Sequence, residues 1–197
     1  DQPPMFTEEE IQKFKDGTDP NYPNVDHYSE IIKKWSLMEN VNLNVSGGGE
    51  KVNYFLSLGF MNQDGIYKSD DLKFKRYNIR SNIDAKVNDN LSVALDIAAR
   101  ITDNNDVPFG NSDIFATIGT STNRFPAHYP DTDKAPFVGR NSHSALIKTR
   151  RDLGGYNDTN QDYLTTSLNI KYKFPFLKGL SLQAKGYYVS SRTSNKT

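Results

Sequence analysis

Residues 41–60, with the sequence VNLNVSGGGEKVNYFLSLGF, decide the fold class. Val41, Leu43 and Val45 alternate with polar residues, and the alternation resumes after a glycine-rich turn, with apolar side chains at every second position from Val52 to Phe60. A period of two is the repeat of a β-strand, in which successive side chains point to opposite faces of a sheet. The stretch therefore predicts a β-hairpin.

The same period continues along most of the chain. It predicts four further strands, near residues 77–87, 91–102, 164–174 and 180–188. Tight turns at 47–51, 88–90 and 175–179 alternate with long connections at 62–72 and roughly 103–161. Strands of about 10 residues with short turns at one end and long loops at the other are typical of an outer-membrane β-barrel. A soluble sheet with one face on a core and one in water gives the same pattern, so that alternative stays open here.

Composition excludes several classes of function. The 197 residues include 24 basic and 24 acidic side chains. The chain therefore lacks the excess of basic residues that is typical of a nucleic-acid-binding protein. The absence of cysteine excludes disulfides and thiolate zinc sites, and three scattered histidines offer little for a histidine metal cage. The sequence contains no run of about 18 apolar residues, so it predicts no transmembrane helix. Because the chain begins Asp-Gln-Pro-Pro, we expect a mature chain or a piece of a longer one.

Residues 1–40 predict an irregular segment with two short helices. Thr7 and Glu10 have the spacing of a capping box, and Gly17 is a plausible end for that first helix. Asp26 is the expected cap of the second helix. The apolar face of this second helix is predicted to comprise Tyr28, Ile31, Ile32 and Trp35.

Several stretches also match a known family. Residues 42–60 and 62–69, continued by 74–85 and preceded by 6–11 and 22–26, closely resemble the SusC/RagA family of TonB-dependent outer-membrane transporters of the Bacteroidetes. The resemblance spans most of the chain. One departure is His27, which stands where the family usually has Trp.

The resemblance implies a fold. It implies an all-β, antiparallel, up-and-down segment of a large transmembrane barrel of about 22 strands, with short helices in extracellular loops. Barrel strands would occupy 41–102 and 162–192, with extracellular loops at 1–40 and 103–161 and the start of another at 193–197. Six strands cannot close so wide a barrel, so both edges of the sheet would expose unpaired backbone.

The resemblance also implies a function. The segment would supply barrel wall and outer loops to an importer of glycan oligosaccharides or peptides in the cell outer membrane. The implied partners are a SusD-like surface lipoprotein, outer-membrane lipid, and TonB acting through a plug region outside these residues; nucleic acid is not among them. From a different class, the alternative is a soluble or surface-exposed all-β carbohydrate-binding module.

No group of residues predicts catalysis, a metal centre or a cofactor. Residues 158–162 have the Asp-x-Asn-x-Asp spacing that opens calcium loops, but Tyr163 replaces the expected glycine and no glutamate stands at the twelfth position. A solvated loop is the favoured interpretation, and residues 103–106 are interpreted as a turn. Two sets of contact residues are nevertheless predicted.

The first set consists of outer-loop aromatic residues that could stack on a solute, contact a lid protein or pack the loop on itself: Phe109, Phe125, Tyr129, Phe137 and Tyr156. The second set consists of charged residues predicted to face the lumen, or to pair across strands in water: Arg80, Asp84, Lys86, Asp96, Arg100 and Lys171. Ile114, Phe115 and Ile118 have helical spacing and are predicted to pack the long loop.

Overall fold

The structure, a computed structural model, describes residues 4–123, 125–126 and 144–197. Its main element is a single six-stranded antiparallel sheet in which the spatial order of the strands is their order in the sequence. The strands are β1 (Met38–Gly48), β2 (Val52–Asp64), β3 (Lys73–Lys86), β4 (Leu91–Asp106), β5 (Asn157–Lys173) and β6 (Ser181–Lys196). The predicted all-β, up-and-down architecture is therefore confirmed. The sheet is not closed.

Three tight turns lie at one end of the sheet, where the sequence predicts them. Between β1 and β2 the backbone N–H of Gly49 donates to the carbonyl of Val52 over 2.8 Å. Between β3 and β4 the side-chain oxygen of Asn88 accepts from the backbone N–H groups of Asn90 and Leu91, both over 2.8 Å. The two long connections lie at the opposite end, which we call the loop end.

The strands extend further toward the loop end than predicted. Residues 103–106 and 157–161, predicted as loop, belong to β4 and β5, and Asp103 pairs with Asn160 in the ladder. Residues 38–40 and 193–196 likewise belong to β1 and β6. Each inner strand has a hydrogen-bonding neighbour on both sides, so the ladder continues past the last apolar side chain. The proposed turn at 103–106 and the loop at 158–162, with its calcium alternative, are therefore wrong: both are extended strand.

Five short helices lie in the described connections: α1 (Glu8–Asp16), α2 (His27–Ile31), α3 (Asn111–Thr120), α4 (Ala145–Thr149) and α5 (Arg151–Gly154). The capping box of α1 is confirmed, because Oγ1 of Thr7 accepts from the N–H of Glu10 over 3.3 Å and Glu10 accepts from the N–H of Thr7 over 2.8 Å. Gly17 ends this helix in the left-handed conformation, with φ of 61°.

The second helix is shorter than predicted. It ends at Ile31, and Ile32 forms an isolated β-bridge with Tyr67 in the β2–β3 connection. The extended backbone after Ile31 gains hydrogen bonds from this pairing, such as the 2.8 Å bond from the N–H of Lys68 to the carbonyl of Ile31. The predicted apolar helical face is therefore wrong in part: Trp35 lies outside the helix and is 75% exposed.

The buried apolar core lies in the connections and not in the sheet. Its members, Ile31, Ile32, Tyr67, Val107, Ile114, Ile118 and Ala145, come from the segment before β1, the β2–β3 connection and the β4–β5 connection. We call residues 25–37, 65–72, 107–123 and 144–156 of these three segments the loop layer. In α3 the prediction of packing residues is confirmed for Ile114 and Ile118, whereas Phe115 is 40% exposed. None of the helices in the described ranges is long and apolar enough to cross a bilayer.

Candidate functional site: the two faces of the sheet and the loop layer

The register of the sheet sorts side chains by polarity. Residues directly opposite one another in a ladder point to the same face, and we call such a set of opposed residues a row. One row reads Leu43, Leu58, Ile79, Ala99, Leu164 and Ser190. The neighbouring row on the other face reads Asn42, Gly59, Asn78, Arg100, Tyr163 and Ser191. The sheet thus has an apolar face and a polar face.

The apolar face is open. Val41 is 62% exposed and Leu43 is 59% exposed, although both belong to a regular strand. The exposed large side chains of this face also include Val45, Val52, Tyr54, Leu56, Leu58, Tyr77, Ile79, Ile83, Ile101, Leu168, Ile170, Tyr172, Leu182 and Tyr188. Monomeric soluble proteins rarely expose contiguous apolar patches larger than a few hundred Å². This face therefore requires an apolar environment.

The apolar side chains form a band whose loop-end edge lies nearer the turns on the last two strands. On β1 to β3 the band begins at the row of Val41, Phe60 and Tyr77. On β6 it begins at Tyr188, two rows nearer the turns, because Arg192 and Ser190 occupy the first two rows there. The row of Val41 continues through Ile101 on β4, so the edge of the band is level over four strands and then shifts by two rows, about 13 Å of strand, over β5 and β6.

The same face becomes polar above the band. The next row toward the loop end contains Lys75, Asp103 and Asn160, and the row beyond it contains Lys73, Asp158 and Lys196. Aromatic rings mark the band's margins. The rings of Phe60 and Tyr77 lie 5.2 Å apart at the loop end, and those of Tyr172 and Phe174 lie 5.1 Å apart at the turn end.

All six charged residues predicted to face a lumen lie on the polar face, as the register of β3 to β5 requires. Asp96 accepts hydrogen bonds from Nδ2 of Asn82 over 2.5 Å and from Oγ of Ser167 over 2.9 Å, across two ladders. Lys86 forms an ion pair with Asp89 in the adjacent turn, with 2.9 Å between Nζ and Oδ1. Asp84, Lys86 and Lys171 line a hollow of about 280 Å³ near the turns.

The outer-loop aromatic residues have different surroundings. Phe109 packs against the core of the loop layer, and Tyr156 lies beneath the guanidinium group of Arg151, 5.1 Å from its central carbon to the ring centroid. Phe125 is 38% exposed. Tyr129 and Phe137 lie outside the described residues. Contact of any of these five with a solute stays a prediction.

Buried polar contacts join the segments of the loop layer. Nζ of Lys148 lies 2.7 Å from Oδ2 of Asp113 and 2.8 Å from Oγ1 of Thr117, which joins α4 to α3. The hydroxyl of Tyr67 donates to Oδ1 of Asn111 over 2.7 Å. Burial, with a smaller contribution from the charge of Asp106, raises the pKa of the Tyr67 hydroxyl above its ordinary value of 10.0. Burial of Lys148 is not predicted from the sequence, because its local sequence gives no sign that a lysine would be buried.

A second polar junction joins the loop layer to the sheet. The Arg151 guanidinium forms a two-bond ion pair with Asp158 at the loop end of β5, with 2.9 Å between Nη2 and Oδ2. The backbone N–H of Arg151 donates to Asp71 over 2.9 Å. His27 is buried, with Nε2 lying 3.0 Å from the carbonyl oxygen of Thr122. A cavity of about 450 Å³ opens beside this junction, lined by Glu30, Lys68, Asp71, Thr149, Arg150 and Asp152 among others.

Within the described ranges, no three His, Asp or Glu side chains are grouped so that they could hold a metal ion.

Comparison with known proteins relates this geometry to a class of protein. No family model matches the chain. A TonB-dependent receptor, P26 of Formosa agariphila, is 29% identical over 103 residues, which is 52% of this chain and 10% of the relative. The chain therefore spans about a tenth of the curated relative that it matches.

Solved structures give the same result for the fold. Structures of the RagAB peptide importer in its closed-closed and open-open states superpose with TM-scores of 0.64 and 0.63 at 18% identity. They cover 87% and 88% of this chain, which corresponds to 20% and 19% of theirs. RagA is a SusC-like TonB-dependent transporter. The predicted resemblance to a segment of a SusC/RagA-like transporter barrel is therefore confirmed.

Proposed function

We propose that this chain, which resembles a segment of SusC/RagA-like TonB-dependent transporters, forms part of the barrel wall and outer loops of a nutrient importer in the outer membrane. Its apolar face contacts lipid, and its polar face lines the lumen. The observation that carries the proposal is the open apolar face of a regular sheet whose opposite face bears full charges.

The dimensions of the apolar band support this arrangement. The band runs from Tyr77 on β3 to Val87 directly after it, about 33 Å along the strand, or about 25 Å along the membrane normal at a tilt near 40°. Outer-membrane barrels have an apolar band about 25 Å tall, bordered by aromatic residues at both interfaces. The shift of the band's edge on β5 and β6 is an offset of the kind that tilted strands require, because such strands cross a horizontal bilayer at an angle to their rows.

The loop layer gives the wall its outer surface. Because it lies at the end of the sheet opposite the three tight turns, it faces outward if the turns are periplasmic, as short turns are in such barrels. On this assignment the layer meets the incoming solute and a SusD-like lipoprotein. Peptides or glycan oligosaccharides are the proposed solutes; similarity to the RagAB peptide importer supports the first class.

A soluble carbohydrate-binding module is disfavoured. The partly exposed aromatic residues Phe125 and Tyr156 would suit a sugar ring. In such a module, however, the whole apolar face of the sheet would have to lie in water or be covered by another protein, at a large cost in free energy.

Two adjacent residues of β3 provide the test. Ile83 lies on the apolar face near the middle of the band, and Asn82 lies on the polar face opposite Asp96. A lysine on the lipid face near the bilayer midplane costs about 2–4 kcal/mol. In the full-length protein we expect Ile83→Lys to reduce the yield of folded, heat-modifiable barrel in outer-membrane fractions, and Asn82→Lys to leave it near wild type.

Asn82→Lys is the matched control, because it introduces the same charge one residue away. Equal yields for the two variants would contradict a lipid-facing role for the apolar face. Recovery of the wild-type full-length protein as a monomer in buffer without detergent would favour the soluble module.

A further inference from the structure

Charge is unevenly distributed along the polar face. We consider four successive rows of the polar face, from the row of Phe74 and Asn104 to the row of Arg80 and Ala98. Together they comprise 24 positions on the six strands. Among these fully described positions are three arginines, Arg76, Arg80 and Arg100, and no carboxylate. The nearest carboxylates on this face are Asp96, one row toward the turns, and Asp106, one row toward the loop end. We call these four rows the arginine surface.

The three guanidinium groups are not neutralised by the described protein. None of them forms an ion pair with a carboxylate in the described ranges. Asp96, the nearest candidate, accepts instead from Asn82 and Ser167. Nε of Arg76 is buried and has no hydrogen-bond partner among the described residues. Arg80 and Arg100 are exposed, so an anionic group can reach their guanidinium groups and accept charge-assisted hydrogen bonds from them.

The surroundings favour recognition of anions. The central carbon of the Arg100 guanidinium lies 5.6 Å from the centroid of the Tyr163 ring, which holds it over the sheet. Asn78 lies opposite Arg100, and Ser57 lies opposite Arg80, so hydrogen-bonding side chains flank the cations. Arginine presents a planar fork of donors that matches the two oxygens of a carboxylate or two oxygens of a sulfate.

We infer that the arginine surface binds carboxylate or sulfate groups of the imported solute, and that the importer therefore selects anionic oligomers. This inference rests on the proposed function, which makes the polar face the lining of the lumen. The surface lies at the loop end of the wall, where a solute arriving from outside meets it first. Positive charge confined to a low-dielectric channel raises the local concentration of anions.

The chain contains no cysteine, so a single introduced cysteine is the only thiol in this segment and probes the local potential there, with the unsubstituted full-length protein as the background control. In the full-length protein we would place a cysteine at Ser57, opposite Arg80, and compare its rates of reaction with the sulfonate reagent MTSES and the trimethylammonium reagent MTSET. We expect Ser57→Cys to prefer the sulfonate reagent by about tenfold. Adding Arg80→Gln and Arg100→Gln should bring that ratio close to one, whereas Arg80→Lys and Arg100→Lys should preserve it.

Two further positions separate this inference from the proposed function. Ala94 lies on the polar face in a row of mixed charge with Asp84, so Ala94→Cys should show no preference for the sulfonate. Ser81 lies on the apolar face, so Ser81→Cys should be protected from both reagents by lipid. Reaction of Ser81→Cys at the rate of Ser57→Cys would refute the proposed function. If Ser81→Cys is protected but Ser57→Cys shows no preference for the sulfonate reagent, the anion inference alone is refuted. The same holds if Ser81→Cys is protected and Ser57→Cys does not react with either reagent.

Competition by solutes identifies the source of the anionic group. Tetragalacturonate is compared with maltotetraose, and a tetraglutamate peptide with a tetraglutamine peptide, as protectants of Ser57→Cys. Stronger protection by either anionic probe than by its neutral counterpart supports the inference and names the solute class. Equal protection within both pairs overturns it.

Discussion

Nζ of Lys148 in α4 lies 2.7 Å from Oδ2 of Asp113 in α3, and the two side chains differ greatly in exposure. The lysine side chain is 3% exposed and the aspartate side chain is 44% exposed. Removing one partner of a buried pair is costly because it leaves the other charge buried and uncompensated. Here that cost falls on one side of the pair, because the aspartate can be hydrated and the lysine cannot.

We therefore expect unequal effects from removing either charge. Asp113→Asn leaves the Lys148 ammonium buried beside a neutral amide and should destabilise the loop layer by about 3 kcal/mol. Lys148→Met fills the same space with an apolar side chain and leaves a hydrated carboxylate, so it should cost less than about 1.5 kcal/mol. Hydrogen exchange of α3 and α4 in the full-length protein measures both. A larger effect for Lys148→Met would contradict this account.

The sheet could be predicted from the sequence because its signal is local. Alternation from Val41 to Phe60 specifies both the strands and the face of each side chain without reference to any distant residue. The ends of the strands cannot be predicted for the same reason: alternation stops near Ile101, but pairing with β5 continues to Asp106. The ladder depends on neighbours that the local sequence does not describe.

The loop layer could not be predicted, because its contacts join segments far apart in the chain. Oγ of Ser69 donates to the carbonyl of Thr149 over 2.6 Å, across 80 residues. Burial of Lys148 could not be predicted from its sequence neighbours, since a lysine is ordinarily a solvated residue. The helical spacing of Ile114 and Ile118 was the one local signal of packing in the long connection, and both residues are buried.

Neighbouring residues of α3 test the core of the loop layer. Ile114 is fully buried and Phe115 is 40% exposed. Ile114→Ala removes buried methyl and methylene groups and should cost about 2–4 kcal/mol of local stability. Phe115→Ala should cost less than about 1 kcal/mol, because a surface substitution leaves no cavity. Limited proteolysis of the β4–β5 connection in the full-length protein compares them, and equal susceptibility would count against a packed layer.

The ion pair between Lys33 and Asp70 makes the β2–β3 connection sensitive to acid. The hydrogen bond from Lys33, followed by its charge, holds the pKa of Asp70 below its ordinary value of 3.8. A carboxyl whose pKa is lowered by folding stabilises the folded state above its ordinary pKa. That contribution is lost as the pH falls below 3.8 and through the lowered value.

We expect hydrogen exchange of residues 65–72 to accelerate over this acidic range in the wild-type protein. Asp70→Asn is the appropriate variant, because Asp70 has φ of 60° and asparagine tolerates that conformation. It should exchange faster at neutral pH and lose this part of the pH dependence. An unchanged acid response in Asp70→Asn would assign the effect to other carboxyl groups.

Gly47 and Gly186 both lie on the apolar face, but only one of them has a close neighbour. A Cβ atom added at Gly47 would lie 2.5 Å from the hydroxyl oxygen of Tyr54, its partner in the ladder, whereas one added at Gly186 would meet nothing within 4 Å. The Tyr54 ring therefore covers Gly47 at the turn end of the band. We expect Gly47→Ala to displace that ring and to cost about 1 kcal/mol.

Gly186→Ala is the matched control and should be neutral or slightly stabilising, since alanine loses less backbone entropy than glycine on folding. Thermal unfolding of the full-length protein in detergent provides the comparison. The double variant Gly47→Ala/Tyr54→Ala should be more stable than the sum of its single effects predicts, because removing the ring removes the clash. Strict additivity would show that the Tyr54 ring does not need the space above Gly47, and would contradict this account.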